Sequence, residues 1–190
     1  MSKLESVTLT AAVLKKYPNR YFIETGTYHG GAVVLARECG FDWIKTIELS
    51  PLHFWAAFKA IGAMPGVACY LGDSTKELPL ILDAIEDPAT FWLDGHTIPG
   101  DATTASGEED SGWKHCPILL ELAEIEKHHI KTHTILIDDI DECGTATFDG
   151  ITIDDVKMAL LAINNDYRFT YEDGGRPGSI LVATPLKTNP

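Results

Sequence analysis

Nothing in this chain approaches the ~20 consecutive apolar residues of a membrane-spanning helix. The opening MSKLESVTLT lacks the apolar core of a signal peptide, so a cytoplasmic location is the expectation. Basic residues are scarce. Fifteen Lys and Arg stand against 28 Asp and Glu, a formal net charge of −13. An acidic surface repels nucleic-acid backbones and anionic membranes, which argues against both as main partners. Cysteine is sparse too. Cys39, Cys69, Cys116 and Cys143 form no CxxC pair, so neither a structural zinc site nor a redox motif is indicated, and buried reduced thiols are expected. There is no internal repeat and no low-complexity linker. The 190 residues, 45% hydrophobic and 23% charged, suit one domain spanning 1–190 with a substantial core.

The apolar segments alternate between two periods. Helical spacing marks 7–16, within an N-terminal helical region of 1–19, and then 31–40, 51–62, 76–85, 116–129 and 151–165. Between them, 21–25, 43–49, 67–72, 90–95 and 133–139 read as short buried strands. Pro51 and Pro79 are placed in first helical turns. The segments 167–173 and 179–185 flank GGRPG as a hairpin. Strands alternating with helices predict an α/β fold: a Rossmann-like, doubly wound, mostly parallel seven-stranded sheet with helices on both faces and a C-terminal antiparallel hairpin. Ligands in such sheets bind beyond the carboxyl ends of the strands. Glu24, Glu48, Asp73, Asp94, Asp138 and Asp139 all fall at those ends.

Two phosphate-binding loops are also missing. There is no GxxxxGK[ST], and where GxGxxG would stand the chain reads E-T-G-T-Y-H-G-G. Tyr28 replaces the second glycine and blocks close approach to a pyrophosphate. Glu24 would repel phosphate but attract a cationic amino group. A carboxylate at Glu48, ending the second strand, can accept from both hydroxyls of a ribose. Asp73, after the third strand, can reach an adenine amino group. The ligand so sketched is a nucleoside that carries an amine and no phosphate. The plainer alternative is that these are surface carboxylates at strand ends.

E-x-G-x-x-x-G after strand one, an acid after strand two, G-D after strand three and D after strand four resemble the class I S-adenosylmethionine-dependent methyltransferases, over roughly residues 20 to 185. The resemblance implies that Glu24 and Gly26, with Thr27, Tyr28 and Gly30 of the same loop, frame the methionine part of S-adenosylmethionine. It implies Glu48 and Leu49 at the ribose, Asp73 and Ser74 at the adenine side, and Asp94 beside the cofactor.

FWLDGH (91–96) and ILIDDID (135–141) end neighbouring strands, so Asp94, Asp138 and Asp139 are expected to converge. Packed carboxylates repel, and a divalent cation, Mg²⁺ first, would resolve the conflict. The D…DD arrangement resembles metal-dependent O-methyltransferases of the macrocin type. That implies Lewis-acid assistance to the transfer of a methyl group onto a small hydroxylated acceptor, with Asp94 at the reacting centre. His96 is a candidate general base for the hydroxyl proton, or a ligand. The histidines 128, 129 and 133 are read as answering a helix dipole. The polar segment 96–115 is read as an active-site loop. Trp55 and Trp92 are expected in the core, with Trp113 a further aromatic surface. For so short a chain the acceptor is either less enclosed or its pocket is completed by a second subunit, as a homo-oligomer. Transfer to nitrogen is the competing reaction, weakened because no NPPY-like tetrapeptide follows strand four. A non-catalytic nucleoside- or metal-binding module is the other alternative.

Overall fold

A computed structural model describes residues 8–95 and 116–186. His96, Trp113 and the whole 96–115 segment lie outside the described residues. The helices are α1 (Ala11–Leu14), α2 (Gly31–Glu38), α3 (Pro51–Ile61), α4 (Ser74–Leu82), α5 (Ile118–Lys127) and α6 (Ile153–Ile163). The strands are β1 (Tyr21–Thr25), β2 (Trp43–Glu48), β3 (Val67–Leu71), β4 (Ala89–Leu93), β5 (Thr134–Ile137), β6 (Arg168–Glu172) and β7 (Ile180–Thr184). They form one seven-stranded sheet in the order β3-β2-β1-β4-β5-β7-β6. Strands β1 to β5 pair in parallel, and β7 runs antiparallel between β5 and β6.

Strand side chains alternate between two cores, as the pleat requires. Phe22, Ile44, Trp92, Leu136 and Val182 pack against α1, α2 and α3. Ile23, Ile47, Phe91, Ile135 and Leu181 pack against α4, α5 and α6. Both faces are covered, which is why these strands read as unbroken apolar runs. Helix starts follow local chemistry. Ser50 caps α3 ahead of Pro51, and Thr152 with Asp155 forms a capping box on α6.

Three sequence expectations are corrected here. The N-terminal helix is a single turn, closed by Tyr17-Pro18 and opened by Thr10, which accepts from the Val13 N–H. Thr8, just before it, donates its hydroxyl to Asp138, at the end of β5. Pro79 lies in the interior of α4, because Asp73 starts that helix earlier than the apolar spacing suggested. Trp55 is exposed on α3, whereas Trp92 is in the core as expected. All four cysteines are free thiols, with Cys116 buried and the others half-buried. Burial pushes the Cys116 and Cys143 thiols up to about 11, so neither supplies a thiolate near neutrality. Among the described residues, no helix is long and apolar enough to cross a membrane.

Candidate functional site

Strand β1 has β2 on one side and β4 on the other, so the chain leaves the sheet in opposite directions after β1 and β4. The crevice opens at that switch point. Gly26 turns there with φ +85°, and its N–H and that of Thr27 donate to the Ile47 carbonyl at 3.0 and 3.2 Å. A Cβ on Gly26 would run into the Asp94 backbone carbonyl. The loops after β1 and β4 therefore touch, and only glycine allows it.

Tyr28 follows with φ +47°, a left-handed conformation uncommon outside glycine. Glu48 holds it there. Its Oε2 accepts from the Tyr28 N–H at 2.7 Å, and its Oε1 from the Ser50 N–H at 2.8 Å. One carboxylate thus clamps the loops after β1 and β2 together. Each oxygen retains capacity for a further donor. Leu49, beside it, is 42% exposed, an apolar surface left at the crevice. The Tyr28 ring stacks on His29 at 3.9 Å, with His53 edge-on at 4.9 Å. Gly30 caps α2 with φ +79° and donates its N–H to the Thr27 carbonyl at 2.7 Å.

Glu24 is 2% exposed, on the face covered by α1 to α3. It accepts from the Thr46 hydroxyl of its register partner at 2.5 Å, and Thr27 Oγ1 lies 2.5 Å from that same hydroxyl. Burial pushes its carboxyl well above the usual range; the Thr46 hydrogen bond opposes this, and the charges of Asp94 and Glu48 add to it. An acid so placed gains its charged form when a cation arrives. Nearby, the Thr25 hydroxyl is fully buried and has no hydrogen-bond partner among the described residues.

Asp73 plays a local part. Its Oδ1 accepts from the Thr75 N–H at 2.9 Å and the Thr75 hydroxyl at 2.7 Å, and Lys76 Nζ lies 3.3 Å from Oδ2. It is the N-cap of α4, and Ser74 is the first residue of that helix.

Among the described residues, the acids of β4 and β5 do not group into a cation site. Asp94 is half-buried, with its N–H on the Thr25 carbonyl at 3.1 Å. Asp138 is buried, and its carboxylate takes the Thr8 hydroxyl. Asp139 adopts φ 50° and accepts from Arg176 at 3.0 Å. Among the described residues, no group of three His, Cys, Asp or Glu could hold a metal ion. Consecutive residues leave a strand in different directions, and the left-handed turn at Asp139 sends it towards the β6–β7 turn.

Two residues escaped the sequence reading. Arg176 looked like part of a simple turn. Glu121 is buried on α5 and lines a small cavity with Leu93, Gly95, Pro117, Asp138 and Phe148. Its signal was present: an acid among the apolar positions Ile118, Leu122 and Ile125.

Solved structures share this architecture. The chain is similar to an O-methyltransferase from Bacillus cereus in complex with SAH, with a TM-score of 0.62 and 14% identity over 92% of this chain and 78% of that one. It is equally similar to TomG, the Streptomyces achromogenes O-methyltransferase involved in tomaymycin synthesis, in complex with SAM, with a TM-score of 0.61 and 14% identity over 94% and 78%. The fold is that of the S-adenosylmethionine-dependent methyltransferases. SAH-bound PaMTH1 of Podospora anserina shares this methyltransferase fold, with a TM-score of 0.57 and 14% identity over 93% and 76%. No family model matches the sequence, and no curated protein matches it. At such identities the likeness is one of fold, and function rests on the site.

Proposed function

We propose that the protein transfers a methyl group from S-adenosylmethionine to a hydroxyl of a small acceptor. The observation that carries this reading is the clamp at the switch point: Gly26 packed against the Asp94 carbonyl, with Glu48 gripping the Tyr28 and Ser50 amides. It gathers the carboxylates of Glu24, Glu48 and Asp94 near one strand end, an arrangement that repels phosphate. The likeness to O-methyltransferases with bound SAH or SAM supports the same choice.

The residues present suit the cofactor. Glu24, whose charge is suppressed by burial, is restored by a nearby positive group. Glu48 has lone pairs left for ribose hydroxyls, and Leu49 offers an apolar edge to a base. Asp73 serves the adenine side chiefly by fixing the start of α4. When bound, S-adenosylmethionine supplies an electrophilic methyl on a sulfonium. The chain's work is then to hold the acceptor oxygen in line, exclude water and receive one proton. Asp94, on the loop that touches Gly26, stands at that junction, and His96 is two residues beyond it. The acids first expected to hold Mg²⁺ do not fit a cation, since Asp139 is bound to Arg176 and Asp138 to Thr8.

Calorimetry with S-adenosylhomocysteine is the test. Micromolar binding, lost in Glu48→Ala but kept in Asp138→Asn, is expected. No binding to the wild-type protein would remove the reading.

A further inference from the structure

Three carboxylates after β5 converge on one guanidinium. Arg176 Nη2 donates to Asp139 Oδ1 at 3.0 Å and to Asp141 Oδ1 at 2.9 Å, and stands 3.2 Å from Glu142 Oε1. Its Nε donates to Asp141 Oδ2 at 2.5 Å, completing a two-pronged grip on Asp141. The guanidinium is delivered by a fixed turn. Gly178 N–H donates to Asp173 Oδ1 at 2.8 Å, Gly174 N–H to the Arg176 carbonyl at 3.1 Å, and Ile140 N–H to the Ser179 carbonyl at 2.9 Å. That turn lies at the carboxyl end of β5 because β7 runs antiparallel to it. The position a divalent cation would need at Asp139 is therefore filled by the chain's own positive charge. A second cation a few ångströms away would be repelled and would have to break the fork.

We propose that Arg176 is a built-in counter-cation, that Asp139 is its partner and not a metal ligand, and that methyl transfer here proceeds without a divalent ion at Asp139. The catalytic meaning rests on the methyltransferase reading; the charge arrangement stands apart from it.

The test is titration with Mn²⁺ alone, followed by calorimetry, on wild-type, Asp139→Asn, Arg176→Gln and the double variant. Wild-type protein is expected to bind no Mn²⁺ that Asp139→Asn removes. Arg176→Gln, which removes that guanidinium from the three carboxylates, is expected to bind it in the range of weak oxygen sites, about 0.1–1 mM. The double variant loses that binding. Wild-type binding abolished by Asp139→Asn overturns the proposal, and so does an Arg176→Gln protein that stays metal-free. Arg176→Leu also removes the charge and serves where the glutamine variant does not fold; it too must admit Mn²⁺, or the proposal falls. S-adenosylhomocysteine is titrated in parallel. Its failure to bind wild-type protein sinks the methyltransferase reading and leaves the Mn²⁺ result to be judged by itself.

Discussion

The far end of the sheet offers the sharpest stability prediction. His133 is fully buried ahead of β5. The Ala89 N–H donates to its Nδ1 at 3.0 Å, so that nitrogen carries no proton. The ring proton is therefore on Nε2, which faces His128 Nδ1 at 2.9 Å and donates to it. Protonating His133 would break the Ala89 bond and bury a charge. Burial, with the nearby His128, His129 and Lys131, lowers its pKa from 6.5 to about 3. Between pH 6.5 and 3 the unfolded chain binds a proton that the folded chain refuses, so stability is full above that window and falls as pH drops through it. Each pH unit crossed inside the window costs about 1.4 kcal/mol, so the loss from this one group between pH 7 and pH 5 is about 2 kcal/mol. His133→Asn retains an acceptor for Ala89 and cannot titrate. Urea unfolding at both pH values should show the variant less stable at pH 7 but losing about 2 kcal/mol less than wild type on going to pH 5. Equal losses in the two proteins would refute both the tautomer assignment and the buried neutral state.

Other outcomes follow from the site. Gly26→Ala places a methyl on the Asp94 carbonyl in a left-handed turn; S-adenosylhomocysteine affinity should fall at least about tenfold, the equivalent of the 1–2 kcal/mol strain of that conformation. Asp73→Ala should cost about 1 kcal/mol through the lost cap, seen as a lower Tm, whereas Asp73→Asn keeps the cap and nearly full cofactor affinity. A stable Asp73→Asn protein that no longer binds S-adenosylhomocysteine would return Asp73 to direct ligand contact. Glu48→Gln keeps one acceptor oxygen for two amides, so binding should weaken less than in Glu48→Ala, a ranking that calorimetry reads directly.

The alternation of strand and helix was legible because both faces of the sheet are covered and each apolar run has one period. Every strand expected from the sequence is present, with ends differing by a residue or two. The crevice was legible for the same reason: strand ends carry acids. What those acids hold was not. Asp73 looks the same in sequence whether it caps α4 or meets a base. Asp138 and Asp139 are adjacent letters, yet a left-handed residue divides them between Thr8 and Arg176, partners 130 and 37 positions away. His133 read as a companion to a helix end; it is the buried acceptor for Ala89, a contact across 44 positions. Pairings that distant leave no trace in local spacing.

The place of β7 bears on how the chain is made. It enters the sheet between β5 and β6, although it follows both in the chain. Until Ile180–Thr184 leave the ribosome, β5 presents an open edge, and Lys16 and Tyr17 wait for Glu172, whose strand β6 joins the sheet only through β7. An open strand edge recruits other chains. Products that stop short of residue 180 should therefore clump during expression, while a chain that includes β7 covers the edge of β5.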